Sequence, residues 1–582
     1  MKSRIFATLL CIMALSTLIF ATPVLAAGMA PTEGIVGATV TISGLAAGSY
    51  SIKWDSVGVK SGTLSAAGSV SFTVPDTAGG EHTVKVDSAG VEVMSATFNV
   101  IPSLTINKDT GVVGDEVTVS GKGFAVNEGS ISVTLDGTSA KSGITAGNTG
   151  SWETTFALPS AAKGSHTIGA SGQTTHASDV PAVTVSINPK ISANPSSGNV
   201  GTAVTVSGTG FGKSEGSIQV IYDGNAAKTG ITADTKGEWS ASITIPNSTK
   251  GGHTIDASGA STSATDVPEL SFIVSSAVTV KPSSAYAGDS VTIAGCGFGG
   301  NENGITVTMD GNTIKSDISA NNEGCWSSTV TLPEMIGGNH SLDAYGSSTV
   351  ASEVADTRVT VLSKVSLDPA EGNVGTNIAI TGTGFGADKE VTLKYDTDEL
   401  VTKYNTDENG KFQASLVAPK SVGGKHTITA TDDIGATGTA TFSMETQAPP
   451  LPEIIYPKEG SRAGLFDNVK PTFEWEAVTD PSGVTYSMQV ASKKDFATTL
   501  VSMDDLPEAT YTLTEDQALA RGTYYWRVEA VDGASNDSGW TDPIEFKAGL
   551  MPMWLFILIV VVAAVIMVRL FFMFRNMRRD RE

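Results

Sequence analysis

The sequence predicts an all-β protein: tandem β-sandwiches in an extended array, closed by one C-terminal transmembrane helix. Three observations carry that expectation. Glycine turns and alternating strands recur with a fixed long period, the chain holds 63 glycines but only 7% aromatic residues, and a charge-free apolar run stands near its end. The period is read first, because it assigns each motif inside it to a structural copy.

One copy begins at Gly198 with SGNVGTAVTVSGTGFG, passes an Asp223-Gly224 turn, reaches GEWSASITIP and closes on GGHTI. Its GxGF phenylalanine recurs at Phe124, Phe211, Phe298 and Phe385, each 87 residues from the next. The aromatic after the glycine turn recurs at Trp152, Trp239, Trp326 and Phe412. A proline and then a histidine follow at Pro159/His166, Pro246/His253, Pro333/His340 and Pro419/His426. A shorter copy precedes these four, keeping Gly37, Pro75 and His82 without the GxGF element. Within a copy, residues 290–294, 305–309 and 326–332 alternate apolar and polar. Such alternation buries one face and wets the other, as in a two-sheet sandwich. Asp136-Gly137, Asp223-Gly224 and Asp310-Gly311 supply the positive φ of hairpin turns.

The two ends place the chain. Residues 1–27 carry Lys2 and Arg4, an apolar run and small residues before Ala26-Ala27, the pattern of a cleaved secretory signal. Cys11 falls within it and is lost with it. Residues 551–568 form an uncharged run of 18 residues, about 27 Å as helix. It extends to Phe574 past Arg569, which can snorkel to the headgroups. Arg575, Arg578, Arg579 and Arg581 then set the C-terminus in the cytoplasm. The expected location is the plasma membrane, with a single pass, the N-terminus extracellular and the helix as the membrane partner. Net charge is −23; the signal (+2) and residues 549–582 (+3) leave −28 on the exported part. That surface repels phosphate backbones, so DNA and RNA are not expected partners.

The pattern VGTAVTVSGTGFG…DGN…TADTKGEW…IP…GGHTIDASG resembles the IPT/TIG-type immunoglobulin-like modules of prokaryotic surface proteins, well over 101–446 and loosely over 28–100. The resemblance implies extracellular immunoglobulin-like sandwiches with a spacing or binding role and no catalytic residues. After a stiff linker at 447–452, PTFEWEAV, TYSMQVASKKDF, GTYYWRVEAVD, GW and IEF resemble a fibronectin type III-like module over 453–548. The expected modules are 28–100, 101–187, 188–275, 276–361, 362–446 and 453–548, followed by a 551–574 span and a basic tail at 575–582.

His82, His166, His253, His340 and His426 hold one position per module. Ligands of one ion must converge within about 2–3 Å of it, so these histidines are expected at a structural corner, bonded back to the backbone like the tyrosine of many sandwiches. Cys296 and Cys325 fall in one copy and in an exported chain predict a disulfide, the alternative being two free thiols. Gly288-Asp-Ser-Val291 and GTGFG recur in register as strand and turn elements and carry no nucleophile or nucleotide site. Asn405 to Gly410 spaces oxygens like a calcium loop but has Leu416 where the loop needs Glu, so it reads as a turn. No cofactor is expected, with calcium at the acidic module junctions as the one metal left open. Asn247, Asn339 and Asn536 begin glycosylation triplets to which no function is assigned.

Two functions follow. The first is a non-enzymatic stalk or envelope scaffold; six modules with strands of ~17–20 Å plus loops reach on the order of 200 Å. The second is an adhesin that binds a surface glycan or envelope protein through the first or the last module. Trp54, within YSIKW, is the candidate ligand contact, against which stands a core place in an alternating strand.

Overall fold

The computed structural model describes residues 26–400 and 402–579. All but the last two residues of the expected signal lie outside them. Among the described residues six sandwiches follow one another over 28–100, 103–187, 190–274, 277–362, 364–444 and 454–548. They form two compact units, the first holding the first three sandwiches and the second holding the last three and the C-terminal helix.

The fourth sandwich shows the plan. Residues 277–281, Ser290–Cys296 and Trp326–Thr331 make an antiparallel three-stranded sheet. Facing it, Ser284–Tyr286, Thr357–Leu362, Gly338–Tyr345, Ile305–Met309 and Asn312–Ile318 make a five-stranded sheet in that order. Ser284–Tyr286 joins in parallel, the other strands antiparallel. Alternate residues of both sheets, among them Val291, Ile293, Val307, Leu342 and Val359, are fully buried between them. The period-two pattern of the sequence is this division of faces.

The GxGF element has a packing reason. Phe298 is fully buried and meets Trp326 edge to face at 5.5 Å. Trp326 lies across the backbone of Gly295, where a Cβ would come within 2.5 Å of the indole. Gly297 turns the chain at φ +76°, which a β-carbon would strain. The same ring pair recurs as Phe124–Trp152, Phe211–Trp239 and Phe385–Phe412, at 5.2 to 5.3 Å. Each pair seals one end of its core with two large apolar side chains.

Cys296 and Cys325 are joined by a disulfide across the three-stranded sheet, next to that ring pair. It closes a loop of sequence separation 29, worth roughly 3–4 kcal/mol on the chain-entropy model. Reduction is therefore expected to lower the denaturant midpoint of the fourth sandwich and to leave the other five unchanged. Melts followed by hydrogen exchange, with and without reductant, check this.

After the strand Ile544–Ala548 the chain enters α1, Met553–Arg579. This helix is long and apolar enough to cross a membrane.

Candidate functional site

The five register histidines sit at one corner, on the strand that begins with the GGH or equivalent segment. In each, Nδ1 faces a carboxylate oxygen of the hairpin-turn aspartate: Asp55, Asp136, Asp223, Asp310 or Asp396, at 2.5 to 2.7 Å. Nε2 faces the carbonyl oxygen four residues earlier, at 2.6 to 3.0 Å. The aspartate's second oxygen accepts the next backbone N–H, from Thr83, Thr167, Thr254, Ser341 or Thr427. One turn residue thus shapes the hairpin and binds the neighbouring strand. In the last sandwich Tyr524 takes the corresponding place and donates its hydroxyl to the Ala520 carbonyl, also four residues earlier. The aspartate partner was not found from the sequence. Its signal was present in the constant His–Asp separation of 30 in four copies.

Electrostatics at this corner are clearest at His426. Burial pulls the imidazolium down, but the Asp396 hydrogen bond and the Val422 carbonyl outweigh it and raise His426 above its ordinary 6.5. The bonds from His426 and the Thr427 amide in turn hold Asp396 below 3.8. A raised histidine contributes stability that is full below about pH 6.5 and is lost as pH rises through the folded value. In melts of a 28–548 fragment, the stability difference between wild type and His426→Gln is accordingly expected to be largest near pH 5.5 and to shrink towards pH 9. A difference that grew with pH would contradict the assignment.

A second recurring carboxylate escaped the sequence reading. Glu128, Glu215 and Glu302 recur 87 residues apart, each only 5% exposed. Glu302 accepts four hydrogen bonds: from the Gly299, Ser348 and Thr349 amides and from the Thr349 hydroxyl, at 2.6 to 2.7 Å. It ties the GxGF turn to the loop that precedes Ala351. Burial pushes its carboxyl up, but these bonds outweigh burial and bring it from 4.5 to about 2. In the fifth sandwich Lys389 occupies the glutamate's register, and buried Asp432 accepts the Gly386 and Ala436 amides instead.

Within each unit the sandwiches are joined by one repeated contact. The amide just ahead of the histidine strand donates to the carbonyl of the next sandwich's GxGF phenylalanine. This happens from Gly79 to Phe124 at 3.0 Å, Lys163 to Phe211 at 2.8 Å and Gly337 to Phe385 at 3.0 Å. Gly423 makes the equivalent bond to Ala534 of the last sandwich at 2.7 Å. Ion pairs flank these bonds: Lys122–Asp76 at 2.8 Å, Lys163–Asp266 at 2.6 Å and Lys411–Glu334 at 3.1 Å.

At the last of these junctions Glu445, Asp480 and Asp532 bring carboxylate oxygens within 4.8 Å of one another. Such hard oxygen donors suit calcium, and these are the described residues that could hold a divalent ion. Each is also engaged within the protein: Ser482 donates to Glu445 and to Asp480, and Asn536 to Asp532. The 405–410 segment is a turn, in which Asp407 accepts the Asn409 and Lys411 amides.

Trp54, the candidate ligand contact, is corrected by the structure. It is 4% exposed, stacks on His82 at 5.0 Å and packs on Phe98 at 5.5 Å and Phe72 at 6.2 Å. Its indole presents no face to a ligand. It stands immediately before the turn aspartate, where Tyr222 and Tyr395 likewise stack on His253 and His426.

Residues 182–271 match the family model of the IPT/TIG domain, and residues 460–552 match that of the Rha78A-like, N-terminal immunoglobulin domain. No curated protein matches the chain. Among solved structures it is similar to the N-terminal eight Ig domains of Down Syndrome Cell Adhesion Molecule, with 12% identity over 89% of this chain and 72% of that one, TM-score 0.18. It is also similar to the Yersinia pseudotuberculosis adhesin InvE, with 15% identity over 30% of this chain and 60% of that one, TM-score 0.17. The chicken CNTN1 FN1–FN3 domains share 11% identity over 47% of this chain and 99% of those domains, TM-score 0.16.

The fold, with its repeated corner and junction, defines a protein of tandem immunoglobulin-like sandwiches that carries a candidate membrane helix at Met553–Arg578. Its third sandwich is the one that matches the IPT/TIG family model. The sixth, expected as fibronectin type III-like, matches an immunoglobulin-domain model.

Proposed function

We propose that this chain is a non-enzymatic, single-pass surface protein whose sandwiches act as a stalk or envelope scaffold. The observation that carries this reading is the repeated junction: a backbone hydrogen bond, flanked by ion pairs at three of four places, ties each sandwich to the next within both units. Bonds of that kind resist bending between neighbours, which a spacer needs and a flexible string of binding modules does not. The boundaries are those read from the repeat, with 453–548 as the module nearest the membrane and 28–100 farthest from it. The arginines at 569, 575, 578, 579 and 581 favour a cytoplasmic C-terminus. A non-catalytic role is supported by the corner histidines, whose ring nitrogens both face oxygens of the fold and are committed to it.

The test is small-angle scattering on the 28–548 fragment together with its binding to glycan and cell-envelope arrays. A stiff particle that binds nothing supports the stalk. Specific binding that disappears when 28–100 is removed replaces it with an adhesin reading.

A further inference from the structure

The end of the last sandwich from which α1 departs is fastened to the start of the helix. Only residues 549–552 separate the strand Ile544–Ala548 from α1, and they do not hang free. The Gly549 amide donates to Ala463 at 3.0 Å, and the Leu550 and Met551 amides both donate to the Leu465 carbonyl at 3.1 Å. Arg462 donates a guanidinium N–H to the Gly549 carbonyl. Phe466 meets Phe556, in the first turn of α1, edge to face at 4.9 Å. The loop after Ser461–Ala463 is therefore fastened to the start of the helix. Whatever surrounds that first turn also surrounds the loop.

The loop's chemistry matches a boundary between headgroups and acyl chains. Leu465 is 62% exposed, and Leu550, Met553 and Trp554 continue an apolar ring around the chain's exit. A single exposed leucine carries no message. A leucine whose carbonyl is bonded to the root of an apolar helix lies at the level of that helix's first turn, where an exposed tryptophan also stands. Tryptophan is the residue of the bilayer interface. Around the ring lie two exposed cations. One is Arg462; the other is Arg521, whose Cγ lies 3.3 Å from the position of a Cβ on Gly549. On a chain of net charge −23 they put positive charge where lipid phosphates would lie. Asp467 is the loop's one carboxylate, and nearby Lys470 is already paired with Glu515.

We propose that the last sandwich docks on the phospholipid surface, with Leu465 and Trp554 entering the headgroup–acyl boundary and Arg462 and Arg521 contacting lipid phosphates. The docking rests on the reading that α1 spans a membrane. With it, the last sandwich is held at a fixed angle to the membrane instead of swivelling on a tether.

The test uses the full chain, with its disulfide oxidised, reconstituted into phosphatidylcholine–phosphatidylglycerol vesicles. Leu465→Cys carries an environment-sensitive fluorophore, and Ile434→Cys, 65% exposed in the preceding sandwich, is the reference. Lipids brominated high on the acyl chain are expected to quench the label at 465 roughly threefold or more over that at 434, as for groups lying in the interface. With Arg462→Gln and Arg521→Gln combined, the 465 label is expected to lose its extra quenching in anionic over neutral vesicles. Quenching at 465 no greater than at 434, in protein that floats with the vesicles, overturns the docking alone. Failure to float overturns the membrane reading and the docking with it. Unchanged quenching in the double arginine variant removes the phosphate contacts from the proposal.

Discussion

Glu302→Ala is expected to destabilise the fourth sandwich by about 3 kcal/mol, enough to unfold it selectively at moderate temperature. The side chain has no solvent-exposed work to lose, being 5% exposed, and its removal leaves three amides and one hydroxyl without their acceptor. Against burial, the same hydrogen bonds bring its carboxyl from 4.5 to about 2, a preference for the charged form of ~3 kcal/mol at ~1.4 kcal/mol per unit of pKa. The sign follows from the depressed value. The stabilisation is present above about pH 4.5 and is lost as pH falls towards 2, as protons neutralise the carboxylate. Chemical melts at neutral pH should show the loss in Glu302→Ala. Between pH 5 and 2 the wild-type fourth sandwich should lose stability more steeply than the variant, which keeps the smaller acid dependence of Asp310, a carboxyl that, despite burial, His340 and the Ser341 amide also hold below 3.8. An equally steep acid dependence in the variant would assign the effect to other groups.

Trp54→Ala is expected to cost the first sandwich about 3–5 kcal/mol, the range for truncating a fully packed large aromatic. Its ring fills the space between His82, Phe98 and Phe72. A Trp54→Phe variant should keep most of that stability, since it preserves apolar volume and the stack on His82. Thermal melts of both variants separate packing from recognition. Loss of stability in the alanine variant and recovery in the phenylalanine variant mark a core residue.

These two residues show where the sequence was legible and where it was not. The repeat exposed the alternating strands, the turns and the recurring positions of the GxGF phenylalanine and the following aromatic, because each occupies a fixed place in an 87-residue register, and it placed both cysteines in one copy. Trp54 had a register place too, but Asp55-Ser56 replaces the Asp-Gly that marks the turn in the second to fourth copies, so the copy could not be aligned on it. Glu302 looked like one of many acidic surface residues. Only folding shows that the chain returns 46 and 47 residues later to bond it. The histidines were legible as a position, whereas their partners, 30 residues away in a hairpin turn, were not. Periodicity encodes what repeats along the chain, and a contact between two repeating positions is encoded only in their separation.

The junction between sandwiches has a consequence for how such a protein changes length. Its bond runs between main-chain atoms, from the Gly337 amide to the Phe385 carbonyl in one case and from the Lys163 amide to the Phe211 carbonyl in another. The donor's side chain differs, yet the bond survives. A duplicated segment of one period would carry the donor for its successor and the acceptor for its predecessor. The gene can therefore gain or lose whole copies without evolving a new interface.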